Sequence, residues 1–190
     1  MKRSPGWLLV TVFIVMRPNA PSWSEERPQL LPTRDVDITY EVTWPQQPKS
    51  RERVRWSAGE HLERVDGADR STTIVDHSGS EITLLIPARR TYRKLERAPR
   101  GPAEPEPGIV LKRGAESVIA GLRCVDWSWT EETETHTACV TADGVLLRLA
   151  VDADTVMQAR SVTYGPQRAE LFRVPLGYTP ALAPEGETGE

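Results

Sequence analysis

Strict alternation of apolar and polar residues is the feature that most constrains the fold of this chain. Between residues 35 and 44, every even position holds valine, isoleucine, tyrosine or tryptophan, and every odd position holds an acid or threonine. Side chains of a β-strand point to opposite faces in turn, so this segment is predicted to be a strand with one buried face. Residues 51–57 repeat the pattern, with Val54 and Trp56 on the inner face and three arginines on the outer face.

Turn residues divide the rest of the chain into short segments of the same kind. Pairs such as Ala58-Gly59, Asp66-Gly67 and Asp143-Gly144 separate the alternating runs, and no segment shows a sustained helical period. Such turns between alternating runs are typical of antiparallel hairpins. The predicted fold class is therefore mainly β, a single curved antiparallel sheet or half-open β-barrel with little helix. Residues 116–130 are predicted to form one strand, and residues 167–172 one helical turn.

Composition divides the chain into a leader, one domain and a tail. Residues 33–178 are expected to form a single antiparallel β domain, because neither half alone would bury enough apolar surface. Within this domain, residues 98–108 contain four prolines, two glycines and two glutamates and are predicted to be a proline-rich excursion, since proline cannot donate to a β-ladder. Residues 179–190 are rich in proline, glycine and glutamate and are predicted to be a disordered tail.

The first 24 residues have the layout of a secretory signal peptide. A cationic start, Met1-Lys2-Arg3, precedes an uncharged apolar run of ten residues at 7–16, and small residues follow at Ser22 and Ser24. A transmembrane helix needs about 20 apolar residues. Residues 1–24 are therefore predicted to be cleaved on secretion, leaving no stable membrane span. The alternative is an uncleaved N-terminal anchor.

Charge argues against one class of partner. Residues 1–24 contain three basic residues and no acid, so the mature chain keeps 21 basic and 27 acidic residues, a net charge of −6. Binding to nucleic acid depends on concentrated positive charge. The chain is therefore not expected to bind nucleic acid.

Cys124 and Cys139 are the two cysteines of a chain directed to an oxidising compartment, where an even count usually indicates a disulfide. If they lie directly across a hairpin, Val125 faces Ala138 and the turn falls on residues 131–132, a highly polar stretch. A redox role usually needs a closely spaced Cys-X-X-Cys pair. A structural bridge is therefore predicted. Two thiols also lack the companions of a four-coordinate metal site, and none is expected.

The tryptophans suggest a candidate apolar cleft. Trp44, Trp56 and Leu84 fall on the inward register of their strands and are the predicted cleft residues. Trp127 and Trp129 share the opposite face from Cys124 in their strand. The competing interpretation is that these aromatic side chains simply pack the core.

No catalytic site is predicted. Asp76, His77 and Ser78 have the residue types of a hydrolytic triad, but adjacent residues on one turn cannot align as acid, base and nucleophile. The three histidines are expected at the surface of strands or turns. The arginines of the second strand, Arg51, Arg53 and Arg55, are expected to form a solvated face.

The order of these elements resembles a known superfamily. A hairpin of sequence IVDHSGSEITLLIP runs into TYRKL, and after the excursion ESVIAGLRCVDW is followed by ACVTADGVLLR. This is similar to uncharacterised periplasmic proteins of the LolA/LolB-like superfamily. The resemblance implies a half-open antiparallel β-barrel, a location in the envelope of a Gram-negative bacterium and a concave apolar face. None of the carriers' functional residues matches a position in this chain.

Together these patterns predict a secreted periplasmic β protein that is not an enzyme and has no cofactor. Its expected ligand is a lipid or another apolar molecule, bound on the concave face. The alternative is an envelope protein-interaction or stress-sensing module without a ligand.

Overall fold

The computed structural model describes residues 27–44, 47–79, 81–95 and 103–181. The predicted signal peptide lies outside the described residues. So do residues 98–102 of the excursion and residues 182–190 of the tail.

The described residues form twelve strands in one large curved, unclosed sheet, which confirms the predicted fold class. The strands of the first half are β1 (Val36–Val42), β2 (Ser50–Ser57), β3 (Leu62–Asp66), β4 (Thr72–Asp76), β5 (Glu81–Ile86) and β6 (Thr91–Leu95). Those of the second half are β7 (Lys112–Ile119), β8 (Leu122–Glu131), β9 (Glu134–Val140), β10 (Leu146–Val151), β11 (Asp154–Tyr164) and β12 (Thr179–Pro180). Two 3-10 helices complete the described elements, at Pro87–Arg89 and Ala169–Phe172.

Sheet order differs from chain order at one central point. The strands follow β12-β6-β5-β4-β3-β2-β1-β11-β10-β9-β8-β7, so β1 pairs with β11 and joins two antiparallel meanders. The proline-rich excursion links β6, near one end of the sheet, to β7 at the other end. Its described residue Ala103 packs against the main core, as do Ile109 and Leu111 before β7.

The predicted buried face of β1 is confirmed. Val36, Ile38 and Tyr40 are at most 3% exposed. In the antiparallel register Val36 lies opposite Trp56 and Ile38 opposite Val54, so the inner faces of β1 and β2 coincide as their alternation predicted. This inner face continues through β11 to the buried side chains of β8–β10 and forms the main core.

A smaller apolar cluster lies on the opposite face of the sheet. Ile74 and Leu85 pack there against Phe172 of the 3-10 helix at Ala169–Phe172, which occupies the region where a helical turn was expected. The guanidinium of Arg64 donates a 2.7 Å hydrogen bond to the backbone carbonyl of Leu171. The chain then adds β12, within the predicted tail, parallel to the start of β6.

The same face corrects the expectation for one of the three arginines. The side chain of Arg55 is only 11% exposed and forms ion pairs with Asp66 and Asp37. Arg53 is 52% exposed and pairs with Asp37 at 2.6 Å. The expectation of a solvated face is therefore wrong for Arg55, because a meander of short strands brings acids from β1 and β3 beside it.

The expectation of one strand over residues 116–130 is also wrong. The chain reverses at Ala120 and Gly121, whose φ angles are +49° and +80°. Positive φ at both central residues is the requirement of a tight two-residue hairpin turn. The segment therefore forms two strands, β7 and β8, instead of one.

Candidate binding edge and its basic pocket

The structure does not bring the predicted cleft residues together. Trp56 is 2% exposed and lies in the main core, whereas Trp44 follows the end of β1 and is 42% exposed. Leu84 is half-buried on β5, three strands away from Trp56 in the sheet. With strands about 4.8 Å apart, that separation is about 14 Å.

Two histidine rings lie beside the indole of Trp56. The ring centroids of His77 and His61 lie 5.1 and 6.4 Å from that of Trp56, and His77 Nε2 is 2.9 Å from Glu63 Oε2. The indole Nε1 of Trp56 is buried without a hydrogen-bond partner. The position therefore belongs to a packed cluster, and two of the histidines expected at the surface contact this tryptophan.

The disulfide prediction is confirmed, but its register is corrected. Cys124 and Cys139 are bonded, with Cα atoms 5.4 Å apart, within the range of an unforced bridge. Cys139 lies opposite Asp126, and Ala138 opposite Trp127, so the bridge runs diagonally between β8 and β9. The pairing is shifted by two positions from the predicted one. A shift of two positions leaves every side chain on the same face of the sheet. The two cysteines can therefore still bond, although the predicted register was wrong.

Strand β7 ends the sheet, and no strand among the described residues pairs with its outer side. Most of its residues are exposed, including Val118 at 68%, and Val110 just before the strand is 59% exposed. An end strand presents a row of N–H and C=O groups that another chain can pair with.

The hairpin geometry shows which backbone groups of β7 face outward. The two residues that flank a two-residue turn, here Ile119 and Leu122, form a hydrogen-bonded pair. Along an antiparallel ladder, hydrogen-bonded pairs alternate with pairs that are not hydrogen-bonded. Ser117 therefore bonds to β8. The N–H and C=O groups of Glu116 and Val118 point away from β8 toward the open side.

A bulge limits this open segment at its other end. The register between β7 and β8 shifts between Arg113 and Glu116. A Cβ atom at Gly114, within the bulge, would lie 3.3 Å from the Cβ and carbonyl oxygen of Asp126. Bulges at sheet edges twist the strand and interrupt pairing. The regular part of the outer edge is therefore residues 116–119.

A cavity of about 430 Å³ opens beside this edge. Its floor is mainly apolar and includes three side chains of β8 and β9: Val125, Trp127 and Val140. The segment before β1 closes one side with Pro28 and Gln29. A volume of this size falls within the range of ligand sites, and we name it the basic pocket for the charges at its rim.

The rim of the basic pocket contains three arginines and one carboxylate: Arg27, Arg113, Arg123 and Glu116. Arg113 and Glu116 are 3.5 Å apart and largely exposed, so their attraction is weak and screened by water. Arg27 and Arg113 have interaction partners within the structure, so the cation that this rim offers to a ligand is Arg123. Arg123 favours an anionic group over a cationic one at this site.

A second cavity of about 380 Å³ lies on the opposite face, and Asp37, Arg53 and Arg55 in its lining form ion pairs. A hydrogen bond from Arg53 to Asp37 raises the pKa of the arginine. At the neighbouring Asp66, burial raises the pKa, but hydrogen bonds from Arg64 and Thr72 outweigh it and hold the pKa below its usual range. These contacts make this cavity part of the structural scaffold.

Within the described ranges, no group of three or more His, Cys, Asp or Glu side chains is arranged to hold a metal ion. No helix in that part of the chain is long and apolar enough to cross a membrane.

Comparisons with known proteins identify the fold. No family model matches the sequence, and no curated protein is significantly similar to it. An uncharacterized conserved protein from Thermus thermophilus is 12% identical, with a TM-score of 0.58 over 78% of this chain and 90% of that one. The match in the MucA/MucB complex of Pseudomonas aeruginosa is 13% identical, with a TM-score of 0.52 over 74% of this chain and 56% of that one. PNGF-II is 11% identical, with a TM-score of 0.50 over 77% of this chain and 30% of that one.

These likenesses show that the fold is shared with the matched chains, MucB among them. This chain spans about half the length of the matched chain in the MucA/MucB complex. At such identities the shared feature is the fold, and no functional residue is transferred.

Sequence reasoning missed the edge at β7 because it missed the turn that creates it. Ala120-Gly121 was the available signal, since glycine readily adopts positive φ. Even with that turn recognised, the sequence does not say which strand ends the sheet, because strand order follows from pairing between distant segments.

Proposed function

We propose that this chain is a periplasmic, non-enzymatic module that binds a protein partner at its open sheet edge. The observation that carries the proposal is the unpaired outer side of β7 beside the basic pocket. An edge strand supplies main-chain hydrogen bonds, and an adjacent pocket supplies side-chain specificity, which is how sheets recognise extended peptides.

The fold comparison supports a binding role. MucB, which is similar in fold to part of this chain, was solved in complex with MucA. A partner held by a sheet of this type is therefore a reasonable model for this chain.

The proposed location rests on two features. The leader at residues 1–24 has the pattern of a signal peptide. The Cys124–Cys139 bridge suits an oxidising compartment. We further propose that residues 33–178 are the domain, extended by residues 27–29 at the basic pocket and by β12, and that the chain after β12 forms a tail.

Binding of an apolar ligand is the second candidate function. It is favoured by the apolar floor of the basic pocket and by two exposed apolar side chains, Trp44 at 42% and Leu95 at 41%. The predicted cleft of Trp44, Trp56 and Leu84 belongs to this alternative. It requires the core around Trp56 to open, because that indole is already packed.

Native mass spectrometry of the protein isolated from the periplasm, after crosslinking in cells, separates the two functions. The partner-binding proposal predicts a defined complex with a second protein and no co-purified lipid. A fluorescent fatty acid then binds weakly and leaves the tryptophan emission unchanged. Co-purified lipid, with tight probe binding that Trp56→Glu weakens more than Arg53→Glu, would overturn the proposal.

A further inference from the structure

We infer that β7 receives an extended, acidic segment of the partner as an additional strand. A carboxylate of that segment would lie at Arg123, at the rim of the basic pocket. This inference rests on the proposed function and specifies where the partner docks and what its docking segment contains.

The backbone geometry supports strand addition along residues 116–119. The N–H and C=O groups of Glu116 and Val118 point to the open side. Val118 is 68% exposed, so little of the described chain covers this part of the strand. The regular segment is short because the bulge ends it, so main-chain bonds alone would give modest affinity and poor selectivity.

Charge supplies the selectivity. Val118 lies directly opposite Arg123 on β8, and both side chains are on the face that bears the basic pocket. A strand added beyond β7 lies about 9.6 Å from β8, since strands are spaced by about 4.8 Å. When its side chain is extended, Arg123 can reach past Val118 to a carboxylate on the added strand at that distance.

The same charges disfavour a second copy of this chain as the occupant. Pairing of β7 with β7 of another copy would bring the Arg123 side chains of both copies to one interface without adding a carboxylate for them. An acidic partner segment removes this cost.

Peptide binding to the secreted chain with its disulfide intact tests the inference. The probe is a fluorescein-labelled decapeptide in which valine alternates with aspartate, and binding is followed by fluorescence anisotropy. One comparison peptide has lysine in place of aspartate, and another has N-methyl groups on alternate residues. We expect the acidic peptide to bind in the micromolar range, and each comparison peptide to bind at least about tenfold more weakly.

Variants of the protein locate the contact. Val118→Pro removes an outward N–H without removing a bond to β8, and should weaken binding about tenfold, whereas Val118→Thr keeps the N–H and should bind normally. Arg123→Glu should weaken binding by about tenfold or more, and Arg93→Glu on β6, at the far end of the sheet, should not. If Val118→Pro fails to fold, the N-methylated peptide and Arg123→Glu still decide the question.

Several results would overturn the inference. These are no binding of the acidic peptide at high micromolar concentration, equal binding of the N-methylated peptide, or a dimer in solution that Val118→Pro dissociates. A native partner complex that survives both Val118→Pro and Arg123→Glu would reject this docking site while leaving partner binding intact. Co-purified lipid without any protein partner would reject the proposed function itself.

Discussion

Oδ2 of Asp143 accepts hydrogen bonds from Nε and Nη2 of Arg34, at 3.0 and 2.7 Å, across 109 residues of sequence. The contact holds the segment before β1 against the turn between β9 and β10. Thr141 Oγ1 donates to the other carboxylate oxygen at 2.6 Å, and the Arg34 guanidinium lies 3.9 Å from the ring centroid of Tyr164. Three separate segments of the chain, at Arg34, residues 141–143 and Tyr164, therefore meet at one carboxylate.

Acid should weaken this contact. Burial raises the pKa of Asp143, but hydrogen bonds from Thr141, Arg34 and Tyr164 outweigh it and hold the pKa below its ordinary value. A carboxyl group with a lowered pKa in the folded state stabilises the fold above its ordinary pKa, and this stability is lost as pH falls through the folded value. Urea unfolding across acidic pH should show that loss, and Asp143→Asn should remove it. An unchanged acid dependence in Asp143→Asn would contradict the assignment.

Gly144→Ala should destabilise the protein. Gly144 has a φ of +92°, and a Cβ atom there would lie 2.3 Å from the backbone carbonyl oxygen of Leu31. We expect a loss of about 1–3 kcal/mol in the free energy of unfolding, because neither backbone can move without breaking the contact at Asp143. Gly59→Ala is the matched control, since no atom lies within 4 Å of a Cβ at Gly59 and its φ is not in the left-handed region. Equal stability of the two variants would show that the contact between these two segments is not rigid.

Removal of the disulfide should lower stability without changing the fold. The bridge closes a loop with a sequence separation of 15, and such a loop contributes about 3 kcal/mol by restricting the unfolded chain. The double variant Cys124→Ala and Cys139→Ala, and the reduced natural chain, should both show a loss of this order in urea unfolding. A loss below about 1 kcal/mol in both would indicate that the unfolded chain is already restricted.

Tyr40→Phe should be destabilising at neutral pH. The buried hydroxyl of Tyr40 donates a 2.6 Å hydrogen bond to the backbone carbonyl of Leu146, and its removal leaves that carbonyl without this donor. The expected loss is about 1–3 kcal/mol. Tyr178→Phe, near the end of the described chain, is the comparison.

The same tyrosine should make stability depend on alkaline pH. Burial, and next the charge of Glu63, raise the pKa of Tyr40 above its usual range. The hydroxyl of the folded chain stays protonated while that of the unfolded chain ionises at about pH 10. The contribution of this hydroxyl to the free energy of unfolding is therefore present below that pH and is lost as pH rises. Tyr40→Phe should reduce this alkaline loss of stability. If the free energy of unfolding falls equally with rising alkaline pH in both proteins, this account is refuted.

The sequence alone determined which residues face the core along β1 and β2. Alternation with a period of two is a local property, so Ile38 and Val54 could be assigned to one face before their pairing was known. The bond between Cys124 and Cys139 was predictable for a related reason, because an error of two positions in register leaves both cysteines on the same face.

Tertiary structure alone decided the candidate site. The separation of Trp56 from Leu84, the pairing of Arg55 with acids of two other strands, and the position of β7 at the end of the sheet all depend on which distant segments lie side by side. Alternation states that a strand has a buried face, but it does not state which neighbours the strand will have. The free edge beside Arg123 exists because the chain continues from β6, near one end of the sheet, to β7 at the other, and only long-range pairing fixes that order.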